Sequence, residues 1–173
     1  MKLKIVLRVV CLLITAFILF WMFVMSGQNA DNSTDTSNWV GYIVASVIKP
    51  GFRQMAEQEQ AEYVASIDHY VRKAAHFTEF AALGAFLLFD LYLFGVSRLW
   101  SVYHAFLSGF VFACLDELHQ LFVPGRACMF TDVLIDAGGV AVGCVFALLV
   151  ILITEGVKKR KAQKQNTKKR LTN

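Results

Sequence analysis

Ionisable side chains stand at the ends of three long apolar stretches of this chain. RKAAHFTEF, at residues 72–80, opens one stretch; DELHQLFVPGR, at 116–126, closes the next; and DVLID, at 132–136, opens the last. Charged groups inside a membrane are costly unless they face a protein interior or a wet cavity. These segments are therefore predicted to turn their polar side chains toward one another.

The spacing of the polar residues supports a shared site. Side chains three or four residues apart are neighbours on a helix, so His76 lies beside both Lys73 and Glu79, and Asp132 lies beside Asp136. If the apolar stretches are antiparallel helices, nearly all of these groups meet at one end of the bundle. The candidate site comprises Arg72, Lys73, His76, Glu79, Asp116, Glu117, His119, Gln120, Arg126, Asp132 and Asp136.

Several chemistries are open to this set. Glu117, His119, His76 and Glu79 are candidate acid–base groups, while Arg126 would bind an anion such as phosphate, and the remaining members complete a binding site. The histidines and carboxylates could instead hold a divalent metal, but no HExxH motif is present and no metal ligands are assigned. A buried acid could also stay protonated and carry protons. Alternatively, these residues have a purely structural role, as a network of ion pairs that holds the helices together.

Composition and hydropathy predict an all-α, polytopic membrane protein. The 173 residues are 57% hydrophobic, which is too apolar for an ordinary soluble domain. Each of four apolar runs is long enough to cross a ~30 Å bilayer core as a helix, although the first run could also be a cleaved signal peptide. Glycines 138, 139, 143 and 109 predict close helix packing. The predicted segments are a first transmembrane helix (1–25), a first outer loop with amphipathic helices (26–72), a core with three transmembrane helices (73–154) and a basic tail (155–173).

The distribution of basic residues predicts the topology. With four spans, twelve of the 17 lysines and arginines fall on one side of the membrane, at the N-terminus, at Arg98 and in the tail. Because basic loops stay in the cytoplasm, both termini are predicted to be cytoplasmic and the polar site to face outward. The tail is expected to be disordered and to touch anionic lipid, not nucleic acid.

The three polar segments resemble the motifs of the VanZ family. RKAAHFTEF, DELHQLFVPGR and DVLIDAGG match its R-K-x-x-H-F-x-E-Y, D-E-x-x-Q-x-F-x-P-G-R and D-x-x-x-N/D-x-x-G patterns, and FVMSGQ is similar to its Phe-Ser-x-Gln signature. The resemblance covers roughly residues 22–143. Phe80 stands where the family often has tyrosine, and Ala127, Cys128 and Met129 replace a Ser/Gly-rich turn.

The resemblance implies a multi-pass protein of the bacterial plasma membrane, in a family whose named member is associated with low-level teicoplanin resistance. One hypothesis is an outward polar site that binds, modifies or shields a lipid-linked component of the cell envelope. The alternative is a membrane-embedded hydrolase or transferase acting on a phosphate-containing lipid, so an enzyme and a binding protein both stay open. Expected partners are membrane lipid, a lipid-linked cell-wall precursor or a lipoglycopeptide antibiotic. No cofactor and no oligomeric state follow from the sequence.

Overall fold

The protein consists of five α-helices and one short 3₁₀ turn in a computed structural model that describes residues 2–28, 30–126 and 128–171. The side chains of residues 30–37 and 168–171 lie outside this description. No strand occurs in these ranges. The elements are α1 (Lys2–Ser26), α2 (Ala30–Ile48), a 3₁₀ turn (Phe52–Gln54), α3 (Glu57–Leu93), α4 (Arg98–Gln120) and α5 (Phe130–Leu171).

Four of these helices are long and apolar enough to cross a membrane, which confirms the predicted all-α, four-span architecture. They are α1, α3, α4 and the Phe130–Thr167 part of α5. Many large apolar side chains on their outer surfaces are exposed, among them Phe17, Leu107 and Phe146. Exposed apolar surface on this scale fits lipid rather than water as the surrounding medium.

Helix α3 is the centre of the bundle, because it packs against each of the other helices. Its fully buried Phe80, Leu83 and Leu88 form the core with Val140 and Ala147 of α5. A smaller cluster joins α2 to the first half of α3. The members of that cluster with buried side chains are Ala45, Phe52 and Val64.

Two helices are longer than the sequence suggested. Helix α3 is continuous from Glu57 to Leu93, so the second segment of the predicted outer loop and the second span are one helix, without a break at residue 72. Helix α5 continues to Leu171, and the prediction of a disordered tail is wrong up to that residue. The tail contains no proline or glycine beyond Gly156 to end the helix, and lysine, arginine and glutamine are good helix formers.

Glycines let α3 and α5 pack closely, as predicted for the glycines of α5, and the contacts set the register between the two helices. A Cβ added at Gly139 would collide with the backbone of Phe77, and one at Gly143 would collide with the backbone of Ala81. Gly84 of α3 faces the backbone of Val140 in the same way. This close crossing lies directly beneath the polar segments and places the first turns of α5 against the middle of α3.

Candidate functional site

A polar cavity of about 200 Å³ lies at the end of the bundle where α4 ends and α5 begins. Seven of the eleven predicted site residues line it, and they come from α3, from the end of α4, from the loop 121–129 and from α5. Of the other four lining residues, Gly125 belongs to the DELHQLFVPGR motif, whereas sequence reasoning missed His69, Met129 and Ile135. The seven predicted lining residues are Arg72, Lys73, His76, Gln120, Arg126, Asp132 and Asp136.

Two of the cations in the cavity are held by carboxylates. Lys73 Nζ lies 2.6 Å from Asp132 Oδ1, which ties α3 to the start of α5. Arg72 Nη2 lies 2.9 Å from Asp68 Oδ2, one helical turn earlier on α3. Asp68 was not among the predicted residues, although its four-residue spacing from Arg72 is the usual signal for such a pair.

His76 lies between two carboxylates from different helices. Its Nδ1 is 3.9 Å from Asp116 Oδ2 of α4 and 3.9 Å from Asp136 Oδ2 of α5. Asp116 Oδ2 also accepts a hydrogen bond of 2.9 Å from Gln120 Nε2. The Asp136 side chain is only 2% exposed, and its Oδ2 has no hydrogen-bond partner among the described residues. We call His76, Asp116 and Asp136 the central triad.

The loop 121–129 brings Arg126 to the cavity. Gly125 adopts a positive φ of 77°, a conformation that glycine takes without steric cost, and Arg126 N donates to Val123 O at 3.1 Å. Arg126 Nη1 then lies 3.5 Å from Gln120 Oε1. The Pro124-Gly125 pair is typical of such a tight turn, because proline presets one dihedral angle and glycine relaxes the next.

The Arg126 guanidinium is in a setting that favours a bound anion. Burial, and next the charge of Arg72, lower the pKa of Arg126, while Asp116 and Glu117 act in the opposite direction. Arginine nonetheless stays protonated in proteins. A partly desolvated cation beside a second cation gains from an added negative charge, so an anion in the cavity would stabilise Arg126.

Three of the four predicted acid–base residues do not line the polar cavity. Glu117 is 2% exposed, and its Oε2 accepts a 2.9 Å hydrogen bond from Met129 N. His119 stacks on Phe23 with ring centroids 4.8 Å apart. Glu79 Oε1 accepts a hydrogen bond from Trp21 Nε1 at 3.1 Å. The aromatic partners both belong to α1; Phe23 begins the FVMSGQ segment, but neither it nor Trp21 was predicted to contact the polar segments.

An apolar groove adjoins the cavity. A pocket of about 400 Å³ shares Arg72, His76 and Arg126 with the polar cavity. It continues into a wider opening of about 710 Å³ between α2 and α3. We call these two spaces the apolar groove. Its apolar lining includes Trp21, Met25, Trp39, Val40, Val44, Ile48, Ile67, Val71 and Ala75.

Comparison with known families accounts for most of the chain. The family model VanZ/LLP1 matches residues 10–152, a range that includes α3 and α4 completely, parts of α1 and α5, and every residue of the cavity. No curated protein and no solved structure gives a significant match. Because the match covers most of the chain and includes the three polar motifs, the chain belongs to the VanZ/LLP1 family of membrane proteins.

Proposed function

We propose that this protein binds the anionic head group of a chain-bearing cell-envelope component in the polar cavity, on the outer side of the bacterial plasma membrane, and that this gives low-level resistance to teicoplanin. The observation that carries the proposal is the position of Arg126. It lines the polar cavity and also the apolar groove, so one side chain adjoins both parts of an amphiphilic ligand.

The cavity suits a small anionic group. Arg72, Lys73 and Arg126 all line it, and arginine is well matched to phosphate or carboxylate oxygens. Its volume of about 200 Å³ is below the ~300–1,000 Å³ of pockets that enclose a drug-sized molecule. The cavity would therefore take a head group or a single substituent, while the remainder of a larger ligand stays outside.

The apolar groove suits the hydrocarbon part of the same ligand. It begins beside Arg126 and His76 and leads along α2 and α3, past Val40, Val44 and Val71. A lipid-linked precursor carries its chain in the membrane, and the acyl tail of a lipoglycopeptide antibiotic enters the same leaflet. Binding either amphiphile here would reduce the encounter of the antibiotic with its target.

A second candidate function is a hydrolase or transferase acting on a phosphate-containing lipid. The arrangement of His76 favours it, because an imidazole between two carboxylates can take and return a proton beside cations that would hold the phosphate. A change in the lipid-linked intermediates of the cell that disappears in His76→Gln would support this enzyme. An unchanged lipid profile together with intact resistance would favour binding alone.

The test of the proposed function is teicoplanin susceptibility in a sensitive Gram-positive host at matched membrane levels of each variant. We expect protection by the wild type and loss of protection in Arg126→Ala. Arg53→Ala is the matched control, because Arg53 is an exposed arginine in the 3₁₀ turn and lines neither the cavity nor the groove. Full protection by Arg126→Ala, or none by the wild type, would count against the proposal.

A further inference from the structure

We infer that the central triad of His76, Asp116 and Asp136 binds one divalent transition-metal ion of the Zn²⁺ or Mn²⁺ class. The inference deepens the proposed function, since the ion would lie at the cavity that is proposed to bind the anionic head group. It is carried by three observations: the convergence of ligand atoms from three helices, a buried carboxylate oxygen without a partner, and the excess of negative charge around it.

The geometry is close to that of a metal site. One potential ligand atom from each triad residue lies within 4.8 Å of the other two, and His76 Nδ1 is 3.9 Å from both carboxylates. Tetrahedral ligands at Zn–N and Zn–O bond lengths of about 2.1 Å are about 3.4 Å apart. Small side-chain rotations of His76 and Asp116 would therefore bring the three atoms to ligating distance.

The unpartnered oxygen belongs to Asp136. Its side chain is 98% shielded from solvent, and its Oδ2, the atom nearest to His76, accepts no hydrogen bond from any described residue. Buried carboxylate oxygens are costly to leave without a partner. A metal ion between Asp136, Asp116 and His76 would supply that partner, and no protein donor among the described residues does so.

The surrounding charge also favours a cation. Lys73 is paired with Asp132 and Arg72 with Asp68, so these two cations are already matched by carboxylates. Asp136, in contrast, feels the negative charges of Asp116, Glu117 and Glu79, besides that of Asp132, which Lys73 balances. A dication at the triad would offset this repulsion.

The donor set selects the kind of metal. Ca²⁺ and Mg²⁺ prefer all-oxygen sites, whereas an imidazole nitrogen with carboxylates suits Zn²⁺ or Mn²⁺. Three protein ligands leave a coordination position open, as in catalytic rather than structural zinc sites. That open position would take an oxygen of the proposed anionic head group, and Arg126 would bind another oxygen of the same group.

The experiment uses the full chain, purified in detergent with a tag that contains no histidine. The protein is stripped with a chelator, desalted, and offered Zn²⁺ or Mn²⁺; bound metal is then counted by mass spectrometry and the Tm is recorded with and without metal. We expect about one equivalent of metal and a higher Tm for the wild type. Asp136→Asn and His76→Gln should each weaken binding at least tenfold.

Two variants serve as matched controls. Asp90→Asn changes another buried aspartate, which lies on α3 and contacts Thr15 instead of the triad, and His104→Gln changes a histidine that stacks on Trp100. Both should retain the bound metal. Co²⁺ in place of the native ion gives a second readout, because its visible spectrum should report one nitrogen and several oxygen ligands and should be lost in His76→Gln even where that variant folds less well.

The outcomes separate this inference from the proposed function. Folded wild-type protein that takes up no metal, or that binds no more metal than Asp136→Asn does, would overturn the metal site. Metal binding by a protein that gives no protection in cells would support the site and overturn the proposed function. If the purified wild type takes up no metal but still protects cells, the metal site is overturned and the proposed function is not.

Discussion

At the scale of single residues, the Glu117 carboxylate acts on the backbone of the loop 121–129. Its Oε2 accepts a hydrogen bond from Met129 N, three residues beyond Arg126. The carboxylate therefore helps to fix the segment that brings Arg126 to the cavity. This hydrogen bond favours a positioning role for Glu117, whereas the sequence pattern also allowed it to be an acid or base.

This role predicts different effects of two substitutions at Glu117. Glu117→Gln keeps a side-chain oxygen that can accept from Met129 N, so teicoplanin protection should stay close to that of the wild type. Glu117→Ala removes the acceptor and should lose most of the protection while membrane levels are maintained. Exposed Glu62 provides the control, Glu62→Ala, which should change nothing. Loss of protection in Glu117→Gln would instead indicate a role in proton transfer.

A second residue-scale prediction concerns Thr15 and Asp90, at the opposite end of the bundle. Thr15 Oγ1 donates to Asp90 Oδ2 at 2.6 Å, and both residues are buried. Thr15→Val should lower the free energy of unfolding by about 1–3 kcal/mol, because it removes a hydroxyl donor from a buried carboxylate oxygen. Thermal unfolding in detergent measures the effect. Thr78→Val is the control, since the Thr78 hydroxyl is exposed and bonds only within its own helix; equal losses in the two variants would contradict the prediction.

At the scale of elements, the crossing of α3 and α5 decides whether the central triad can form. Gly139 and Gly143 allow the two backbones to touch, and one to two turns away on α5 lies Asp136, opposite His76. Small residues at such a crossing let membrane helices approach closely enough for favourable packing. Any separation of these helices would move two members of the triad apart.

The matching prediction compares two glycines of the same helix. Gly143→Ala places a methyl group against the backbone of Ala81, so it should destabilise the protein by about 1–3 kcal/mol, as overpacking does, and should weaken metal binding. Gly156→Ala meets no atom within 4 Å, and it should be neutral or slightly stabilising because alanine is the better helix former. The Tm of each purified variant tests this, and equal values for the two would contradict the packing role.

At the scale of the whole molecule, the features that could be predicted from the sequence depend on residue composition and on the spacing of residues along the chain. Hydropathy was enough for the four spans, because a ~30 Å apolar core demands long apolar runs. The glycines of α5 predicted close helix packing, but not that α3 would be the partner helix. The direction in which an individual side chain points could not be predicted from the sequence. Residues three and four apart share a helix face, and only the neighbouring helices decide which of them faces the interior of the bundle. Glu79 and His119 thus meet Trp21 and Phe23 of α1, a helix with no ionisable residue near these positions to indicate the contact.

The predicted orientation in the membrane can be tested with Cys128, which is exposed in the loop 121–129 at the cavity end. A membrane-impermeant maleimide should label Cys128 in intact cells, and Cys128→Ser should abolish this labelling. A cysteine placed in the tail, Gln165→Cys in the Cys128→Ser background, should react only after permeabilisation, since both basic termini are predicted to be cytoplasmic. Labelling of the tail in intact cells would reverse the orientation and place the cavity on the cytoplasmic side.

The pH dependence of this labelling provides a separate check on the loop. Local desolvation, and next the nearby Glu117 carboxylate, raise the pKa of the Cys128 thiol above its ordinary value. Only the thiolate attacks a maleimide, and below the pKa its fraction grows about tenfold per pH unit. The labelling rate should therefore rise more steeply between about pH 8 and pH 9 than that of an unperturbed cysteine with a pKa near 8.5, whose thiolate fraction grows only about threefold over that interval. In Glu117→Gln the repelling charge is gone, so the profile should shift to lower pH; an unshifted profile would mean that the carboxylate does not lie beside the thiol.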